Sequence, residues 1–162
     1  IQTGDLEDWD AMMDINVKGL LYVSKAIIPQ MTDRKSGHII NIGSSAGKEV
    51  YAKGNVYCGS KHAVLAITEG MRIDLNPYGI KVAAINPGLV ETEFSKVRFK
   101  GDDAADNVYK GFKPLQAKDI ADTIMFALST RWRSNISAIE ISGTEQSPGG
   151  VPIYAVKDPI LS

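Results

Sequence analysis

Short apolar, largely β-branched runs alternate along this chain with long segments whose apolar residues recur at helical spacing. The runs are His38-Ile39-Ile40-Asn41-Ile42, Ile80-Lys81-Val82-Ala83-Ala84-Ile85-Asn86 and Ala138-Ile139-Glu140-Ile141-Ser142. A run that is apolar at successive positions must be covered on both faces, as strands of a parallel sheet are. Trp9, Met12, Met13, Val17, Leu20, Leu21, Ile27 and Ile28 fall at steps of three and four. They predict an amphipathic helix over 6–28, with Asp5 as N-cap and Pro29 near its end. A second helix is predicted over 55–75, closed by Asn76-Pro77-Tyr78-Gly79. A third takes in Asp119, Ile120, Ala121, Ile124, Met125 and Leu128. The stretch 89–114 is polar and mixed, with one weakly helical piece over 104–110. Helix, strand, helix, strand, helix, strand is the order of an α/β protein built on a parallel sheet.

Composition narrows the function classes. With 162 residues the chain is sized for about one domain. At 44% hydrophobic it carries enough apolar surface to exclude intrinsic disorder. Its 18 basic and 19 acidic residues leave a formal charge of −1, without the cationic excess that nucleic-acid binding needs. No apolar run reaches the ~18 residues of a membrane span. Cys58 is the one cysteine, which excludes an internal disulfide and multi-cysteine metal sites. The expectation is a cytoplasmic protein with no metal, no nucleic-acid partner and no membrane partner. Residues 1–148 are read as one structural unit, and 149–162 as an irregular tail.

In parallel α/β sheets, ligands bind beyond the carboxyl ends of the strands. That singles out Ile42-Gly43-Ser44, Asn86-Pro87-Gly88 and Ser142-Gly143-Thr144. Tyr57 and Lys61 stand at i and i+4 on the second predicted helix, side by side on one face. An ammonium next to a phenol favours the phenolate, so the phenol can exchange protons with an alcohol or carbonyl nearer neutral pH. A chance surface pair has the same spacing. Ser44 lies 13 positions before Tyr57 and could hold a substrate oxygen beside the phenol, with Ser45 as its neighbour and competitor. Asn16 sits in the middle of the first helix, either as a satisfied buried amide or as an anchor for water near Lys61.

Four motifs then occur together and in order: Asn16-Val17-Lys18-Gly19, the stretch from Gly37 through Gly43-Ser44-Ser45-Ala46-Gly47, Tyr57-x-x-x-Lys61, and Pro87-Gly88-Leu89-Val90-Glu91-Thr92. Any one is common; the set in register resembles the C-terminal portion of the short-chain dehydrogenase/reductase family. Glu93-Phe94-Ser95, Val97-Arg98-Phe99-Lys100-Gly101-Asp102, Asn107-Val108-Tyr109-Lys110 and Pro114-Leu115 are similar to its NADP-dependent 3-hydroxy acid (serine) dehydrogenases. The resemblance covers about 6–148. It implies the C-terminal part of a Rossmann-like, doubly wound parallel sheet whose N-terminal nucleotide-binding half is absent from this chain. It also implies hydride transfer between NADP(H) and the secondary alcohol or ketone of a small, serine-like 3-hydroxy acid, and a homo-oligomer, tetramer or dimer. Tyr57 would be the general acid/base, Lys61 would hold the nicotinamide ribose, and Ser44 would bind the reacting oxygen. Asn16 would hold the water that links Lys61 to solvent. Pro87, Gly88, Val90 and Thr92 would contact the nicotinamide end, and 93–114 would cover the substrate. Arg98, in that cover, could fork onto a substrate carboxylate, or it could be a solvated arginine beside Lys96 and Lys100.

Competing patterns carry less. Gly43-Ser44-Ser45-Ala46-Gly47 fits G-x-S-x-G, but that motif needs a helix at once and a later acid and histidine. Downstream of it only His62 is found, 17 residues on. Cys58 and His62 share i, i+4 spacing without a third orienting residue. His38 opens a strand with no metal partner evident, and Asn135-Ile136-Ser137 fits a glycosylation pattern with nothing to suggest secretion. No G-x-G-x-x-G turn is found, so the pyrophosphate cradle of a dinucleotide fold is expected upstream. The strand at Ile39 should then present a free edge. Two rival readings remain: a non-catalytic fragment acting only in assembly, and a hydrolase using Ser45.

Overall fold

The computed structural model describes residues 1–98 and 108–147, apart from the side chains of Lys96 and Arg98. The chain enters helix α1 (Leu6–Met13), whose N-cap Asp5 carboxylate accepts the Glu7 amide at 2.8 Å. A π-helical segment, Asp14–Gly19, leads directly into α2 (Leu20–Arg34). The helix predicted over 6–28 is therefore two α-helices joined by a wider turn, and it outlasts Pro29. A proline inside a helix removes one backbone bond. Beyond it, however, Met31 packs with Ile28 and Leu20 against the core, and that burial keeps the last turn helical. Lys35, in the left-handed region at φ 51°, closes the helix with its amide on Met31 and Thr32.

Strand β1 (Gly37–Ile42) follows, then a 3-10 turn at Ser45–Gly47, helix α3 (Asn55–Leu75) and strand β2 (Ile80–Pro87). After β2 come the two-residue strand β3 (Val90–Glu91) and helix α4 (Phe94–Arg98). Strand β4 (Leu115–Gln116), helix α5 (Ala117–Leu128) and strand β5 (Ala138–Ile141) complete the described chain. Helix α5 starts where it does because Gln116 and Asp119 bond each other's backbone amides in a reciprocal cap. Of the weak helix expected over 104–110, residues 104–107 lie outside the described chain and 108–110 form a turn.

The main sheet is parallel, in the order β1-β2-β5, with Ile39 opposite Val82 and Ile85 opposite Ile139. Strand β2 is central, and Val82, Ala83 and Ile85 are wholly inaccessible. That is why its sequence is apolar at successive positions while β5 alternates. Ile39, Ile80 and Val82 pack with Met71 and Leu75 of α3 to form the core on one sheet face. Asn41, buried on that face, is satisfied by Thr68 of α3 at 2.9 Å. Among the described residues β1 is an edge strand, as expected, and Ile42 at its end is exposed. A second, two-stranded parallel ladder pairs β3 with β4. Its strands are too short to show a sequence period, and no expectation included them.

Candidate active site

All three strands of the main sheet run parallel, so their carboxyl ends open on one side of the molecule, where a cleft of about 600 Å³ lies. Ser44, Tyr57, Lys61, Pro87, Gly88, Val90 and Thr92 all line it. Residues up to 48 positions apart thus converge because β1, β2 and the first turns of α3 end together. Ser44 leaves β1 in an extended conformation and is buried. Its hydroxyl accepts the Ala46 amide at 3.1 Å and reaches the Pro87 carbonyl at 3.5 Å, which fixes it across the tip of β2.

Tyr57 and Lys61 lie one turn apart on α3. The Lys61 ammonium donates to the Ile42 carbonyl at 3.1 Å and stands 6.0 Å from the centre of the Tyr57 ring. Burial pushes the Lys61 ammonium below its ordinary range, since its charge is partly withdrawn from water. A positive group is therefore held between the end of β1 and the phenol, with its charge poorly screened.

Asn16 does not line the cleft. It lies in the π-helical segment, where the extra residue per turn re-aims side chains. Its amide donates to Ser60 at 3.1 Å, and Ser60 donates to the Tyr57 carbonyl at 2.8 Å. Asn16 thus ties the first helix to the turn of α3 that carries Tyr57 through Ser60, a contact the sequence did not announce. Ser60 is wholly inaccessible, and nothing in Cys58-Gly59-Ser60 distinguishes it from a packing residue.

Two glycines let backbone and side chains meet at the floor of the cleft. A Cβ on Gly43 would fall 2.0 Å from Oδ1 of Asn86, and one on Gly88 would fall 2.3 Å from Oε1 of Gln146. Gln146 instead accepts the Leu89 amide at 2.8 Å and joins the β5 side of the cleft to its centre. Glu145, just before it, takes the Lys113 amide at 2.6 Å. Neither residue was foreseen, because their role depends on the loop after β5 folding back.

The remaining wall comes from the segment after β2. Phe94 meets Tyr57 with ring centroids 5.8 Å apart at 48°, and Ser95, Val108 and Tyr109 also line the cleft. Of the segment 93–114, Phe94, Ser95, Val108 and Tyr109 are the described residues that line the cleft. Arg98 ends α4, and its side chain lies outside the described residues. Ser45 also lines the cleft, but a 3-10 turn follows it rather than a helix, unlike a nucleophile elbow. His62 bonds the Cys58 carbonyl at 2.8 Å and so makes no thiol–imidazole pair there. No group of three or more His, Cys, Asp or Glu suited to a metal is found among the described residues.

The chain is similar to known proteins along most of its length. The family of the short chain dehydrogenase matches residues 1–103. The NADP-dependent 3-hydroxy acid dehydrogenase YdfG of Escherichia coli (strain K12) is 41% identical over 151 residues, which are 92% of this chain and 61% of that protein. The serine 3-dehydrogenase of Rhizobium radiobacter is 41% identical over 150 residues, 92% of this chain and 60% of its own. The closed form of a serine dehydrogenase complexed with NADP+ superposes with a TM-score of 0.89 at 39% identity, covering 96% of this chain and 63% of that one. The chain therefore spans about 60% of the length of the curated relatives it matches. By sequence family, sheet order and the placement of Ser44, Tyr57 and Lys61, the chain belongs to the short-chain dehydrogenases.

Proposed function

We propose that this chain carries the catalytic centre of an NADP(H)-dependent oxidoreductase acting on the secondary alcohol or ketone of small 3-hydroxy acids, serine-like ones among them. The observation that carries the proposal is the convergence of a buried serine hydroxyl, a phenol and a partly buried ammonium on one cleft. The relatives named above as NADP-dependent or NADP+-bound support the cofactor. The donor set fits a nicotinamide nucleoside: Lys61 and the Tyr57 hydroxyl suit ribose hydroxyls, while Thr92 and the Pro87–Val90 backbone suit a carboxamide. Gly43 and Gly88 line the cleft with backbone alone, and the missing side chains let Asn86 and Gln146 pack closely against them. When bound, the nicotinamide supplies or takes up the hydride.

The chain's own residues manage the substrate oxygen and its proton. Ser44 donates to or accepts from that oxygen, held in place by its bonds to Ala46 and Pro87. During oxidation Tyr57, as phenolate, takes the hydroxyl proton; during reduction its phenol returns a proton to the developing alkoxide. Lys61 stabilises the phenolate by its charge, and the Ile42 carbonyl keeps the ammonium in position. Asn16, through Ser60, holds the turn of α3 that presents Tyr57. A water on Asn16 could also connect Lys61 to solvent. We further propose Arg98 as the partner for the substrate carboxylate, which an Arg98→Ala variant tests through the KM for hydroxy acids.

We also place the protein in the cytoplasm as a homo-oligomer, a tetramer or dimer. Ile15, Tyr22 and Val23 on the first helices and Ile73 on α3 are all more than 60% exposed, an apolar surface that a second copy would cover. No helix among the described residues is long and apolar enough to cross a membrane. The same apolar surface supports the second reading, in which the chain acts only in assembly. We take residues 1–148 as one structural unit and 149–162 as a tail.

The deciding experiment measures NADP+ reduction on 3-hydroxy acids by the full-length gene product and its Tyr57→Phe variant. Loss of general acid–base catalysis should lower kcat by about 10²–10⁴-fold. A wild type that binds no NADPH, or a Tyr57→Phe variant as fast as wild type, would sink the proposal.

A further inference from the structure

We propose that Phe94 sets the size of substituent the cleft accepts beside the reacting carbon, and that the Tyr109 hydroxyl is the positioning group that holds Phe94 there. The inference rests on the dehydrogenase reading above. Helix α4 has five residues, too few to be stable on its own. Its start is fixed by the Thr92 hydroxyl, which accepts the Phe94 amide at 3.2 Å. Its flank is fixed by Ser95, buried at 5% exposure, whose hydroxyl donates to the Tyr109 oxygen at 2.8 Å. Tyr109 in turn donates to the Val90 carbonyl at 2.7 Å. One phenolic oxygen thus joins the outgoing strand β3, the helix and the returning arm of the segment.

With α4 held in this way, Phe94 lines the cleft and meets the Tyr57 ring at 5.8 Å, inside the usual range for paired aromatic rings. Phe94 is still 48% exposed, so part of an apolar wall beside the phenol is left for a substrate to cover. A substrate whose oxygen reaches Tyr57 and Ser44 must direct one of its carbon substituents along that wall. Small substituents fit; bulky apolar ones collide with the ring. Chemically, the site selects short-chain 3-hydroxy acids over those bearing a bulky apolar group beside the carbinol carbon.

The test is steady-state kinetics with NADP+ and two 3-hydroxy acids, one short and one bulky, on the full-length gene product. Variants are Phe94→Ala, Phe94→Leu, Tyr109→Phe and, as a distant control, Tyr78→Phe in the turn after α3. The readout is kcat/KM for the bulky acid divided by that for the short one. It should rise about tenfold or more in Phe94→Ala and by a smaller factor in Phe94→Leu. In Tyr109→Phe, which loses the bonds to both Ser95 and Val90, it should rise by a smaller factor, about 2- to 10-fold. The control should leave it unchanged. An unchanged ratio in both Phe94 variants, with turnover retained, overturns the assignment of the wall. An unchanged ratio in Tyr109→Phe alone overturns the positioning role. A wild type inactive on both acids fails earlier, refuting the dehydrogenase reading and this inference with it.

Discussion

Replacing Gly43 by alanine should damage stability and catalysis together, because the added methyl has nowhere to go. A Cβ at position 43 would lie 2.0 Å from Oδ1 and 3.2 Å from Cγ of Asn86, with Leu65 also at 3.2 Å. Packed carbon atoms sit at about 3.5–4.0 Å, so a shift of more than 1 Å is required. Asn86 has little freedom to make it: it is 1% exposed, lies in the central strand and is followed by Pro87. Overpacking of this kind costs about 1–3 kcal/mol. For a chain of this size that lowers Tm by roughly 2–4 °C per kcal/mol. Any yielding of Asn86 also moves Pro87, whose carbonyl faces the Ser44 hydroxyl and whose backbone lines the cleft. Turnover should therefore fall by more than the loss of folded protein explains.

The compensating change is specified by the same contact. Neither polar atom of the Asn86 amide has a hydrogen-bond partner among the described residues. Truncating it to alanine forfeits no bond among the described residues and removes the atom in the way. Asn86→Ala should restore most of the stability lost in Gly43→Ala, a coupling of about 1–2 kcal/mol in a double-mutant cycle. Urea denaturation of the four proteins measures it, with NADP+ turnover in parallel. A Gly43→Ala protein as stable and active as wild type, or additive effects in the double variant, would refute the reasoning.

What could be read from the sequence follows from which interactions are local. Helix α3 matches its predicted bounds because its apolar period lies within its own residues and Asn76-Pro77-Tyr78-Gly79 closes it, and Tyr57–Lys61 proximity is a property of one helical turn. The parallel sheet could be read because β2 needs cover on both faces. The extension of α2 past Pro29 could not, since it depends on Met31 meeting a core assembled from α3 and β2. Asn16 was visible as an anomaly, yet its partner Ser60 stands 44 residues away and emerges only once the π-helical segment turns the amide inward. Likewise Tyr109, Gln146 and the β3–β4 ladder are made by chain return, which leaves no periodic trace. The family motifs pointed to the strand ends, to Tyr57 and Lys61 and to 93–114; the contacts that hold the wall of the cleft, through Tyr109 and Gln146, had to be seen folded.

Three further outcomes are expected. Gly59→Ala should stabilise the protein by about 1 kcal/mol, because Gly59 lies inside α3 with nothing within 4 Å of a new Cβ; an unchanged urea midpoint would contradict that. Lys61→Met should weaken NADPH binding and depress kcat if Lys61 holds the ribose and stabilises the phenolate as proposed; a titration of NADPH fluorescence showing wild-type affinity would rule out the ribose role. The last concerns pH. His38, on β1 opposite Lys81, has both ring nitrogens buried without a hydrogen-bond partner among the described residues. Burial, and then the Lys81 charge, lower its pKa below the ordinary 6.5. The folded protein therefore binds a proton at His38 less readily than the unfolded chain does. Its contribution to stability is complete above 6.5, is lost as pH falls from there through the lowered folded value, and levels off below it. His38→Phe removes the titrating group, so the slope of unfolding free energy against pH just below 6.5 should flatten relative to wild type. Equal slopes in the two proteins would show that His38 is solvated and protonates freely in the folded state.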